Sequence, residues 1–161
     1  MKNTGGDVHT ISGNFDTSKG DLRKGQVYVE KKYFPDFSKI PKLLEDLVVM
    51  INSKLKKDLS SHEVLKLAAD LHYNLVNIHP FGDGNGRVSR SMMNYIQMYH
   101  GVPLIKIFTE DRSDYIEALN NTEEENDISI FRNFICSQQI KFYKAEIQKF
   151  KDRNSGFQLM L

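Results

Sequence analysis

Pro80 lies between two helical runs and constrains the chain more than any other single residue. Upstream, Ser60-Ser61-His62-Glu63 has the form of a capping box. Val64, Leu67, Ala68, Leu71, Leu75 and Ile78 follow it at helical spacing. Proline cannot extend a helix, and it pushes the residue before it out of the α region. That helix must therefore end at His79, which projects from the exit of a rigid support. Gly82, Gly84 and Gly86 follow, and Ser91-Met92-Met93-Asn94-Tyr95-Ile96 restarts a helix that runs to about His100. Gly101-Val102-Pro103 stops it.

The connecting stretch, His-Pro-Phe-Gly-Asp-Gly-Asn-Gly-Arg-Val-Ser-Arg at residues 79–90, has the composition of an anion-binding loop with a base at its edge. A helix N-terminus presents unpaired N–H groups and about half a positive charge. Gly84 and Gly86 let the backbone curl into a nest in front of it. Arg87 and Arg90, three apart, share a face of the new helix, and guanidinium forks suit phosphate oxygens. Asn85 can donate an amide hydrogen bond to the same group. Asp83 supplies one carboxylate, which with phosphate oxygens and water is the usual way to hold Mg²⁺. His79, with an ordinary pKa of about 6.5, suits proton abstraction at neutral pH. The set accommodates a polyphosphate, a divalent cation and an incoming hydroxyl, which is the equipment for in-line displacement at phosphorus. Phe81 reads as an anchor pinning the loop, and His72, on the same helix face as His79, as a packed, hydrogen-bonded core histidine. Other phosphate motifs fail: Gly82-x-Gly84-x-Gly86 is not the dinucleotide fingerprint, no Gly-x4-Gly-Lys-Ser/Thr occurs, and His62-Glu63 lacks the second His of a zinc motif.

The remaining chain frames this loop. The first ~25 residues are rich in Gly, Ser, Thr and Asp and read as loop, with residues 1–20 a poorly defined leading segment. Gln26-Val27-Tyr28-Val29-Glu30 alternates as a short strand, Lys31-Lys32 turns it, and Tyr33-Phe34-Pro35 returns. Ser38 is expected to cap a helix with Ile40, Leu43, Leu44, Leu47, Val48, Ile51 and Leu55 on its apolar face. Asp111 is expected to cap a short helix through Tyr115 and Leu119. Asp127 is expected to cap the last one, whose apolar side carries Ile128, Phe131, Phe134, Ile135 and Phe142. The 161 residues are read as one all-α domain with a small β-hairpin. A net charge of +1 argues against a nucleic-acid surface. No apolar run is long enough for a membrane span, and the start lacks the apolar core of a signal peptide. The single Cys136, read as a buried thiol, excludes an internal disulfide and fits a reducing compartment, so a cytoplasmic location is expected.

Residues 79–90 match, at every fixed position, H-x-F-x-(D/E)-G-N-G-R-x-x-R, and the chain here resembles the Fic (Fido) family of protein adenylyltransferases. Gly20-Asp21-Leu22-Arg23 ahead of the strand at 26–30, Gly101-Val102-Pro103 and Asp111-Arg112-Ser113-Asp114-Tyr115 are similar to further family segments, so the likeness spans roughly residues 8–145. The resemblance implies a compact Fic-type helical domain whose hairpin is a flap, and transfer of AMP from ATP to a Ser, Thr or Tyr hydroxyl with release of pyrophosphate. It implies His79 as catalytic base and Asp83 as the ligand of Mg²⁺ (or Mn²⁺). Gly84, Asn85 and Gly86 would form the anion hole, with Arg87 on the β-phosphate side and Arg90 on the γ-phosphate. Val88 and Ser89 fall in the same nucleotide-binding stretch, and Tyr115 and Ile116 match positions near the adenine. Val29, Glu30, Lys31 and Lys32 would clamp a protein substrate by strand addition. Relatives also transfer other phosphate-containing groups or remove AMP, and a non-catalytic nucleotide-sensing module is the alternative outside catalysis. Many family members carry an inhibitory helix marked Ser/Thr-x3-Glu-Gly/Asn. Here only Ser113 has a Glu four residues on, Glu117, and Ala118 follows it. The expectation is a fragment of a longer protein, or inhibition by a separate antitoxin partner.

Overall fold

The computed structural model of the chain describes residues 6–11, 13–29 and 32–157, the side chains of Val29 and of residues 154–157 excepted. It divides into two units, Met1–His100 and Gly101–Leu161.

In the first unit, β1 (Asp7–Thr10) pairs antiparallel with β2 (Gly13–Asp16), Val8 opposite Phe15. This corrects the reading of the first ~25 residues as loop. Thr10 Oγ1 lies 2.6 and 2.8 Å from the carbonyls of Gly13 and Lys24, which share its hydroxyl proton, and among the described residues of the hairpin only Phe15 is buried. A strand pair held by one aromatic and a hydroxyl leaves almost no alternating pattern in the sequence. The flap is shorter than expected: β3 (Tyr28–Val29) and β4 (Lys32–Tyr33) pair with Tyr28 opposite Tyr33. Glu30 and Lys31 lie outside the described residues.

Asp36, not Ser38, starts the next element. Its Oδ1 accepts the Ser38 N–H at 2.9 Å and caps a 3₁₀ turn, Phe37–Lys39, that runs into α1 (Ile40–Leu55). α1 buries Ile40, Leu47, Ile51 and Leu55, while Val48, expected on that face, is exposed. α2 (Ser61–Ile78) begins with the expected capping box: Ser60 Oγ accepts the Glu63 N–H, and Glu63 Oε2 accepts the Ser60 N–H at 2.8 Å. It buries all six of its periodic residues, Val64, Leu67, Ala68, Leu71, Leu75 and Ile78. α3 (Asn85–Tyr99) packs along α2 through Met93 and Ile96.

In the second unit, a 3₁₀ turn, Thr109–Asp111, leads into α4 (Arg112–Glu124), which packs on α5 (Ile128–Phe157). Ala118, Leu119, Phe131 and Ile135 are buried there, and Tyr115 meets the Phe131 ring edge-on at 6.1 Å. Asp127 caps as expected, accepting the Ser129 N–H at 2.8 Å. Asp111 does not: its carboxylate accepts from Gln138 and Lys141 at 2.8 and 2.7 Å, a charge-assisted pair that outcompetes a local cap. Cys136 is half-buried rather than buried. Among the described residues no helix is long and apolar enough to cross a membrane.

Candidate active site

His79 ends α2 in the left-handed conformation, φ 50° and ψ 58°, outside the right-handed α region that the proline after it disfavours. That conformation costs a residue with a Cβ about 1–2 kcal/mol, so its surroundings must hold it. They do so on four sides. The His79 N–H donates to the Leu75 carbonyl at 3.1 Å, and Nδ1 lies 3.3 Å from the Val76 carbonyl. The Phe34 ring stacks on the imidazole at 4.0 Å, and the His79 carbonyl accepts from Arg23 Nε at 2.7 Å. A carbonyl can only accept, so a hydrogen bond across this contact assigns the proton to Nδ1 and the lone pair to Nε2. Burial, and then the charges of Arg23 and Lys32, hold the imidazole below its ordinary value, the Val76 bond opposing them. His79 is thus biased toward the neutral form that a base requires. His72, expected as a core histidine, is fully buried, and burial with the Arg90 charge lowers it to about 3.

The loop beyond Pro80 is bound up by its own residues. Asn85, buried at the start of α3, accepts the Phe81 N–H at 2.9 Å and donates to the Phe81 carbonyl at 2.8 Å. Its amide therefore staples the turn with its oxygen and one N–H, and its second N–H is the donor left for a bound anion. Phe81 is held through its backbone, and it also bridges to Leu22. Gly84 takes φ 84° and caps α3 without a side-chain bond, leaving the first N–H groups of the helix outward. Asp83 accepts the Gly84 N–H at 2.6 Å and Arg87 Nη2 at 3.0 Å. A Cβ on Gly84 would come within 3.3 Å of Arg87 Nη2, and one on Gly86 within 3.3 Å of Arg90 Nη1. These two glycines leave space for the two guanidinium groups as well as for the backbone to turn.

His79, Gly82, Asp83, Gly84, Asn85, Gly86, Arg87 and Arg90 line one cavity of about 290 Å³. Val88 and Ser89 do not line it. Helical rotation turns them aside, and the buried Ser89 hydroxyl donates back to the Asn85 carbonyl at 2.8 Å. In the second unit, Ile116 lines a separate cavity of about 640 Å³ with Arg112, Ser113, Glu117, Asn120, Asn121 and Glu124, whereas Tyr115 packs on Phe131 and Phe134. On the flap, Lys32 Nζ donates to Asn77 Oδ1 at 2.6 Å and sits 5.6 Å from the Phe34 ring centre.

Arg23, Phe34 and Val76 were not singled out by sequence reasoning. Their roles rest on contacts 45 or more residues away, or on a backbone carbonyl that every residue possesses. Asp83 is a single, largely exposed carboxylate, and no group of three or more acidic, His or Cys side chains gathers among the described residues. That donor set suits Mg²⁺, which takes one or two carboxylates and completes its shell with phosphate oxygens and water. It does not suit a protein-caged zinc.

The profile of the Fic/DOC family matches residues 6–97. The chain is 39% identical over 121 residues to Protein adenylyltransferase Fic of Nematostella vectensis, covering 73% of this chain and 26% of that protein. It is 40% identical over 117 residues to the protein of the same name from Aedes aegypti, covering 73% and 23%. It therefore spans about a quarter of the length of these relatives. Among solved structures, a Fic domain containing signaling protein from Bacteroides thetaiotaomicron superimposes with a TM-score of 0.67 at 31% identity, covering 76% of this chain and 52% of that one. Fic-1 from C. elegans gives 0.68 at 29%, covering 83% and 38%. With its loop geometry, its helices and its sequence in agreement, the chain belongs to the Fic/DOC family.

Proposed function

We propose that this chain is a nucleotidyltransferase that moves AMP from ATP to a Ser, Thr or Tyr hydroxyl of a protein. The observation that carries the reading is His79 Nδ1 against the Val76 carbonyl in a residue that lines one cavity with the glycine turn, Asp83, Arg87 and Arg90, because that contact leaves Nε2 to act as the base. In this scheme Nε2 takes the hydroxyl proton as the oxygen bonds to the α-phosphorus. The bond from that phosphorus to the bridging oxygen breaks, and pyrophosphate leaves. The N–H groups at the start of α3 receive the phosphate oxygens, with Arg87 and Arg90 toward the β and γ groups. Asp83 would hold Mg²⁺ or Mn²⁺, which supplies charge neutralisation on the phosphates. Arg87, now on Asp83, would exchange that partner for phosphate.

The likeness to proteins named as adenylyltransferases supports the same chemistry. The open edge of the β3–β4 hairpin suits an extended substrate segment added as a strand. Arg90 is the group that an inhibitory helix or an antitoxin partner would occupy. One cysteine suits the cytoplasm. The test is incubation with ATP, Mg²⁺ and a source lysate, followed by tandem mass spectrometry. An adenylyl group on Ser, Thr or Tyr is expected with the natural chain and none with His79→Ala, which still binds ATP. Transfer that survives in His79→Ala contradicts the reading.

A further inference from the structure

Arg23 is the largest fully buried side chain among the described residues, at 1% exposure. Its hydrogen bonds go to three backbone carbonyls: Nε to His79 at 2.7 Å, Nη1 to Gly25 at 2.7 Å and Nη2 to Pro35 at 2.6 Å. Its own N–H donates to the Pro80 carbonyl at 2.9 Å. A cation this deep is costly unless it meets a concentration of negative potential. The Asp36 carboxylate contributes to it, as does the C-terminal end of α2, with outward carbonyls and no basic residue in its own last turn. The three carbonyls come from the catalytic loop, from the segment before β3 and from the segment after β4. One guanidinium therefore joins both roots of the flap to the backbone of the base. Phe34, one residue from Pro35, carries the ring stacked on the His79 imidazole.

We infer that Arg23 is a positioning residue that fixes the left-handed His79 peptide and sets the flap at a constant distance from the base, so that substrate docking and proton abstraction share one frame. This rests on the proposed role of His79. The charged groups facing the imidazole are Arg23 and, from β4, Lys32; both oppose its protonation, and the Val76 carbonyl favours it. Removing Arg23 frees the imidazole to rotate off Val76 and removes one of the two opposing charges.

The test compares the natural chain with Arg23→Lys and Arg23→Gln, using AMP transfer, ATP binding by calorimetry, and NMR of chain labelled at the histidine rings. Lysine retains the charge and most of the stem but cannot reach three carbonyls. The expected result is a kcat about 100-fold lower in both variants, as for a misplaced catalytic group, with ATP affinity within about twofold. In the NMR spectrum the His79 ring loses its single Nδ1–H tautomer in both variants, and its titration midpoint rises in Arg23→Gln but not in Arg23→Lys. An unchanged His79 tautomer and kcat in the folded variants overturn the inference, as does a loss confined to ATP affinity. The ring spectrum is read without turnover. A natural chain that transfers no AMP but keeps the Arg23-dependent tautomer therefore sinks the proposed activity and leaves the role of Arg23 standing.

Discussion

Residues 79–90 and residues 7–35 meet around the same imidazole and are built in opposite ways. The loop is held by its own neighbours: Asn85 on Phe81, Asp83 on Gly84 and Arg87, Ser89 on Asn85. The segment that braces it pairs within itself as two hairpins, but its grip on the loop is made by partners distant in sequence: Arg23 on His79, Leu22 beside Phe81, and the Phe15 ring and Thr17 methyl filling the space over Gly82. The loop encodes chemistry in residue type and the brace encodes geometry in contacts. Changes in the loop should therefore remove a chemical group, and changes in the brace should misplace one.

The largest expected effect lies in the loop. His79→Ala removes the proposed base and should lower transfer about 10²–10⁴-fold, read by labelling, while calorimetry still finds ATP bound. In the natural chain the acid limb of kcat/KM should fall below pH 6.5, since the His79 imidazole is held below that ordinary value. A base works when deprotonated, so activity is constant above that midpoint and lost below it. Arg90→Ala removes the proposed charge-assisted phosphate contact and should raise KM for ATP about tenfold with the fold intact.

Gly82→Ala crosses from loop to brace. Its Cβ would stand 2.7 Å from Thr17 Cγ2 and 2.9 Å from Phe15 Cε2. Such overpacking costs about 1–3 kcal/mol, visible as a lower Tm together with a lower kcat. Adding Thr17→Ser deletes the nearer methyl and should recover part of both. If Gly82→Ala alters neither, the hairpin does not brace the loop and the contrast between the two regions fails. The smallest effect lies far from both: Ser60→Ala breaks the capping box of α2 and should cost about 1 kcal/mol, a few degrees in Tm, with transfer unchanged.

The same contrast explains what the sequence discloses. α2 and the turn after it are legible because each signal is local: the capping box, the 3.6-residue spacing, and Pro80 forcing His79 out of the helix. The site is legible because base, carboxylate, glycines and arginines stand within twelve residues. What the sequence hides is set by remote competition. Asp111 looks like a cap until Lys141 and Gln138, thirty residues on, take its carboxylate. Asn85 looks like a ligand alone, and nothing local announces that it also staples the Phe81 backbone through both ends of its amide. Among the described residues of the β1–β2 hairpin one side chain is buried, Phe15, too few for a period to emerge. Arg23 looks like any surface arginine because its partners are carbonyls, which no residue type announces.

The measurement that bears most directly on the central claim is parallel incubation of the chain, Mg²⁺ and a source lysate with ATP labelled at the α-phosphate and with ATP labelled at the γ-phosphate. Attack at the α-phosphorus predicts that only the α label becomes covalently bound to protein, and that His79→Ala abolishes it. Protein-bound γ label, or equal labelling by the natural chain and His79→Ala, contradicts the account.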